Sequence, residues 1–301
     1  MQSLICARVD LDSASCINGI PFFLDFFKER KIKASFFSVM GPETGLSEAT
    51  GALAKSISRK FSSQKSATLG KASHPQGPPG SRIRGLLREH GVLETLRFTF
   101  LPKNSIAEYG ESHLKEVLKA GHCLGTHGWK HSTWGKDEAK TTLEFGFAIA
   151  KFKELFKRKP KIHTSPMCRW NPTLLGLLDQ EGFVCSSDFD NFQTPFPFHP
   201  RIGKKVFTHL QIPFSHPLAW NVSEREITAN PEKIAGLAQE GGVLMVPTHG
   251  KAFNNAAEVS LISQTIELAL DAGAKPATFE QAAAIWNRKA KAVDATKYLS
   301  R

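Results

Sequence analysis

The feature that most constrains this chain is a repeated alternation of short apolar runs with amphipathic stretches of helical period. Residues 4–9 form an apolar run that ends at Asp10 and Asp12, and residues 19–30 place Ile20, Phe23, Leu24 and Phe27 on one helical face. Residues 33–39 predict a second strand, closed by Gly41-Pro42. Further on, helices are predicted over 112–120, 137–158, 171–180, 231–240 and 256–270, with a closing helix from Phe279. Strands are predicted up to Thr126 and over 162–165, 183–187, 209–214 and 243–247. Strands separated by helices predict an α/β fold built on a parallel sheet or barrel, because parallel neighbours need long crossovers. No internal repeat interrupts the pattern, and the last dozen residues are polar and predicted to fray.

Residues 44–105 break the rhythm and contain the cluster His74-Pro75-Gln76-Gly77-Pro78-Pro79-Gly80. The chain carries a net charge of +11, and much of the excess lies here. Between Glu48 and Glu89 there is no acid, but there are Lys55, Arg59, Lys60, Lys65, Lys71, Arg82, Arg84 and Arg88. Such a block suits phosphate, nucleic acid or an anionic lipid surface, and equally a solvated loop. Nucleic acid is disfavoured, since Phe61 is the only aromatic within the block and offers little for base stacking. Five scattered cysteines without Cys-x-x-Cys spacing suit a reducing compartment. No apolar run approaches the roughly 18–20 residues that cross a bilayer, and the first eight residues do not make a secretory signal. The expected location is therefore cytoplasmic.

Chemically capable groups gather where the predicted strands end: Asp10 and Asp12, His127 with His131, Asp188, and Thr248-His249. In parallel barrels the rim at the strand C-termini is where catalytic groups from different strands meet. His127 and His131 are four residues apart, which on a helical turn puts both imidazoles on one face, fit for one divalent ion. Asp10 and Asp12 alternate across a strand and so share a face. Two adjacent carboxylates repel unless a cation is present, which divides them naturally into a metal ligand and a proton acceptor.

In this order the residues resemble the NodB-homology polysaccharide deacetylases, and within them the 4-deoxy-4-formamido-L-arabinose-phosphoundecaprenol deformylases. The resemblance is carried by Arg8-Val9-Asp10-Leu11-Asp12, Phe36-Phe37-Ser38-Val39 with Gly41-Pro42, and His127-Gly128-Trp129-Lys130-His131. Ser187-Asp188, Gln211-Ile212-Pro213 and Thr248-His249 complete it. The chain departs from that pattern at Met40, an added residue, and at Gly250-Lys251-Ala252-Phe253, where the relatives carry acids. Arg169 precedes Trp170, whereas the relatives place an arginine where this chain has Asn171.

The resemblance implies one distorted (β/α) barrel over residues 1–290, with the basic insert at about 44–105 after the second strand and a polar tail at 291–301. It implies Asp12, His127 and His131 as ligands of a divalent metal, Zn²⁺ first, with Co²⁺, Mn²⁺ or Ni²⁺ as alternatives. Asp10 would be the general base and His249 the proton donor, with Asp188 orienting His249 and Arg169 partnering Asp10. Trp129 and Trp170 would line a sugar pocket, a role weighed against plain packing. Lys55, Arg59, Lys60, Arg82 and Arg84 would hold lipid phosphate at an anionic membrane surface. The implied activity is N-deformylation or N-deacetylation of an amino sugar linked to undecaprenyl or another polyprenyl phosphate, on the cytoplasmic face of the inner membrane, in lipid A or cell-envelope glycan synthesis. The alternatives are a deacetylase of a soluble or polymeric N-acetylated saccharide, and a non-catalytic metal- or sugar-binding barrel.

Overall fold

The computed structural model describes residues 2–43, 105–132, 137–189, 195–213 and 231–298. The chain divides into two units, residues 1–41 with 105–301 and residues 42–104. The elements and the site described below belong to the first unit. The basic insert, with Lys55, Arg59, Lys60, Arg82 and Arg84, lies outside the described residues.

The sheet is built around β1 (Leu4–Leu11), every residue of which is buried. One side of β1 pairs in parallel with β9 (Val243–His249) along its whole length. The other side pairs with β10 (Lys275–Pro276) at its start and β2 (Ser35–Ser38) at its end. Beyond β2 follow β3 (Cys123–Thr126), β4 (Ile162–His163), β5 (Cys185–Ser186), β8 (Leu210–Gln211), β6 (Phe198–Ile202) and β11 (Lys291–Asp294). Among the described residues the ladder does not join β9 to β11, so the sheet is an open, barrel-like form of the expected fold.

Alternation along β1 decides what each face carries. Ile5, Ala7, Val9 and Leu11 pack outward with Phe23, Phe26 and Phe27 of the helix Ile20–Glu29. Leu4 and Cys6 pack on the other face with Phe37, Met245, Phe279 and Trp286. Arg8 and Asp10 continue this second face by parity, so the interior changes from apolar at the strand starts to charged at their ends. The same parity in β9, from Val243 and Met245 through Pro247, brings His249 to that face.

Three sequence expectations are corrected here. The tail expected to fray forms β11, which pairs in parallel with β6, and Ala295 just after it is fully buried. Its apolar residues are few, but Val293 and Tyr298 pack against a separate apolar cluster around Phe189, Leu174 and Phe198. The hairpin of β6 with β7 (Lys205–Val206) has no counterpart in the predicted strands, because its Pro-rich, charged run lacks period-2 alternation. The strand predicted over 209–214 shrinks to β8, with residue 214 outside the described residues.

Candidate active site

Asp12 follows the end of β1 and is the centre of the site. Its Oδ1 lies 3.2 Å from His127 Nε2, and its Oδ2 lies 3.4 Å from His131 Nε2 and 3.3 Å from His249 Nε2. Ligand atoms of Asp12, His127 and His131 all lie within 4.8 Å of one another, and among the described residues this is the one such grouping of three. His127 is buried, whereas Asp12, His131 and His249 keep between 15% and 26% of their side-chain surface, so the cluster opens on one side.

The histidine pair is assembled by a loop and not by the helical turn that its spacing suggests: residues 127–132 carry no helix. Gly128 adopts φ +81°, a conformation that side chains rarely take, and it turns the chain between the two imidazoles. The loop is tied to the end of β2, since Met40 N–H donates to Gly128 O (3.0 Å) and Gly41 N–H to Trp129 O (2.7 Å). A Cβ on Gly41 would sit 2.3 Å from Trp129 O, so the glycine permits this approach. His127 is oriented from behind: its Nδ1 lies 2.9 Å from Thr164 O and 2.7 Å from Thr164 Oγ1. A proton on Nδ1 leaves the Nε2 lone pair facing Asp12, the arrangement metal-binding histidines use.

Two buried atoms test whether a cation fits. Asp12 Oδ1 and His127 Nε2 have no hydrogen-bond partner, although they face each other. A carboxylate oxygen and an imidazole lone pair are both acceptors, and a divalent ion between them satisfies both. The residues present therefore fit such an ion. The charges agree: burial pushes the Asp12 carboxyl up, but His127 and His249 beside it hold it well below the usual range.

Asp10 pairs in register with His249 across β1 and β9. Its carboxylate is fully buried and gripped by Arg8, through Nε (2.8 and 3.1 Å) and Nη2 (2.6 Å). This replaces Arg169 as the partner of Asp10. Arg169 is half-exposed after the short turn Pro166–Cys168. Asn171 is occupied too: its Oδ1 caps the helix Pro172–Glu181 through Leu174 N–H (2.9 Å), and its Nδ2 donates to Thr141 Oγ1 (2.7 Å).

Asp188 is also displaced from its expected role. Its Oδ1 accepts from Ser165 N–H (2.5 Å) and its Oδ2 has no hydrogen-bond partner, so it does not orient His249. Trp170 is corrected as a sugar platform: it is 5% exposed and stacks on Phe189 at 4.5 Å. Trp129 is half-buried against the apolar cluster on the outward face of β1, its ring 5.5 Å from Phe147. Sequence reasoning passed over Arg8 and Thr164. Arg8 was findable, as a charge inside an apolar strand on the same face as Asp10; Thr164 carries no such signal.

Residues 81–185 match the profile of the polysaccharide deacetylase family. A Shewanella sediminis protein described as a 4-deoxy-4-formamido-L-arabinose-phosphoundecaprenol deformylase is 27% identical over 188 residues. The chain thus carries a polysaccharide deacetylase match over residues 81–185 and a distant likeness to one deformylase. The alignment takes in 60% of this chain and 55% of that relative, so the chain spans about half the length of the curated protein it matches. A structure described as a polysaccharide deacetylase from Mycobacterium smegmatis superposes with a TM-score of 0.60 at 14% identity, over 96% of this chain and 91% of that one. An allantoinase superposes at 0.58 and 14% identity, over 95% and 90%. A structure described as a polysaccharide deacetylase from Pseudomonas aeruginosa superposes at 0.56 and 15% identity, over 95% and 91%. These likenesses establish the fold of the deacetylase family.

Proposed function

We propose that this protein is a metal-dependent hydrolase that cleaves the amide C–N bond of an N-acylated amino sugar. The observation that carries this reading is the meeting of the Asp12 carboxylate with three imidazoles within 3.4 Å, two of the facing acceptor atoms being buried without partners.

Asp12, His127 and His131 would hold the cation. When bound, a divalent ion supplies a lowered pKa for water and polarisation of the amide carbonyl. Asp10, on the interior face of β1, takes the proton of the attacking water. His249, its register partner on β9, gives a proton to the departing amine, since an amide nitrogen leaves poorly without one. Arg8 holds the Asp10 carboxylate in one orientation.

The finer reading is a formyl or acetyl group on an amino sugar carried by a polyprenyl phosphate. It is supported by the description of the Shewanella sediminis relative and by the run of eight bases between Glu48 and Glu89. Such a run would attract a phosphate headgroup or an anionic leaflet, each base contributing about 1 kcal/mol near the surface. The reading places this association at the cytoplasmic face; no helix among the described residues is long and apolar enough to cross a membrane.

The test combines elemental analysis of the purified protein with mass spectrometry of N-acylated substrates, lipid-linked and soluble, before and after treatment. The expected result is about one divalent ion per chain and loss of one formyl or acetyl mass from the lipid-linked sugar. Turnover of soluble substrate alone would remove the lipid-linked reading; wild-type turnover by Asp10→Asn or His249→Ala would remove the mechanism.

A further inference from the structure

We infer that the outward face of the helix Glu138–Phe156 docks a second copy of this chain, the two helices lying antiparallel across a two-fold axis. A surface helix normally turns charged residues to water. Here the exposed positions between 142 and 150 are Thr142, Leu143, Gly146, Phe147 and Ala150, and none carries a charge. Leu143 is 57% exposed and Phe147 45%, one turn apart on the same face. The Phe147 ring lies 5.5 Å from Trp129, which extends the apolar surface onto the loop between His127 and His131. The inner face is already packed, since Phe145, Ala148, Ile149 and Phe152 are buried in the fold. The outer face is an apolar surface still open to water. It ends at Glu154, which pairs with Lys151 at 2.9 Å.

The face is complementary to itself, as an isologous contact requires. With the axis between positions 146 and 147, Phe147 opposes Gly146 of the partner subunit, and Leu143 opposes Ala150 of the partner subunit. A Cβ built on Gly146 meets nothing within 4 Å, so there is room above it for a phenyl ring. Large side chains thus meet small ones, and the two helices can approach closely. The ends match as well. Asp137 and Glu138 open the helix, whereas Lys153, Lys157 and Arg158 lie at its end. Antiparallel packing sets the acidic start of one helix against the basic end of the other, and opposes the two helix dipoles favourably. A lipid surface fits less well, because helices seated on anionic bilayers flank their apolar face with bases, and here acids stand at one end. One helix per copy is a small contact, below the roughly 1,200–2,000 Å² of stable complexes, so the dimer should form with a midpoint on the order of 10 μM.

Sedimentation equilibrium of the full chain, from well below to well above that midpoint, tests the inference. The wild type should pass from monomer to dimer, and Leu143→Glu and Phe147→Glu should each weaken the dimer about 10-fold or more. Leu143→Glu keeps the test open should Phe147→Glu disturb Trp129. Glu138→Lys and Lys157→Glu should each weaken it by a few-fold, and the two together should recover most of the loss, because the swap restores opposite charges across the axis. A wild type that stays monomeric throughout, or a dimer indifferent to both apolar variants, would overturn the inference. A double charge variant weaker than either single one would overturn the antiparallel arrangement. Co-sedimentation with phosphatidylglycerol vesicles separates the other occupant: binding by a monomeric wild type that is lost in Leu143→Glu assigns the face to lipid and overturns the dimer. None of these readouts uses turnover, so failure here leaves the proposed hydrolase untouched.

Discussion

His127 and His163 occupy neighbouring strand ends, at most 1% exposed, yet their surroundings assign them opposite work. His163 has both ring nitrogens taken by hydroxyls, Nδ1 with Thr126 Oγ1 at 2.9 Å and Nε2 with Ser165 Oγ at 3.3 Å. Burial pushes its pKa down to about 4, so it stays neutral and serves as a packed hydrogen-bonding spacer. His127 is anchored on one side alone, at Thr164, and offers its other nitrogen to Asp12. Burial lowers its pKa too, but Asp10 and Asp12 outweigh burial and raise it. A buried histidine is thus a ligand candidate when one nitrogen is fixed and the other faces a carboxylate without a partner, not merely when it is buried.

The largest effect should come from the His127 side. Asp12→Ala removes the carboxylate that faces all three imidazoles, and turnover should fall on the order of 10³-fold or more, with bound metal lost. Elemental analysis beside the rate checks both. Full metal content in Asp12→Ala would break the contrast, because it would make His127 as self-sufficient as His163.

The His163 side should appear as stability against pH. His163 and His122 both have pKa values lowered to about 4, mainly by burial, below the free value of about 6.5. Between these values the unfolded chain binds more protons than the folded one. Their contribution is therefore complete above pH 6.5 and is lost as pH falls towards 4. Each such group can add up to about 1.4 kcal/mol per pH unit to the acid slope. Urea midpoints between pH 7 and 4 should fall less steeply in His163→Gln than in the wild type. An equal slope in both proteins would show that His163 does not resist protonation.

The contrast also explains what was legible in the sequence. The strand–helix alternation was visible because β1 and the helix Ile20–Glu29 are governed by local periodicity. Asp12, His127 and His249 could be grouped because each stands where an apolar run ends, with His131 four residues beyond His127. The partners of Asp10 and Asp188 were not legible, since Arg8 against Arg169, and Ser165 against His249, are choices of register and rotamer across strands. Trp170 misled because exposure depends on Phe189, a residue 19 positions away in another segment. The strand at β11 escaped notice because its pairing with β6 is made by backbone groups, which polar sequence does not reveal.

A smaller effect probes the anchor itself. Thr164→Val keeps the carbonyl 2.9 Å from His127 Nδ1 but removes the hydroxyl at 2.7 Å. The ring should be held less firmly, and metal affinity should drop about 10-fold, at the low end for groups behind a ligand. Competition titration against a chelator measures this, with unfolding of the metal-free variant as the control for packing. The mirror-image change, Ser165→Ala beneath His163 Nε2, should leave metal affinity alone and cost about 1 kcal/mol of stability, the worth of one hydrogen bond. If Ser165→Ala instead weakened metal binding as much as Thr164→Val, the two histidines would be coupled parts of one network. The distinction between ligand and spacer would then have to be drawn at the level of that network and not of the single ring.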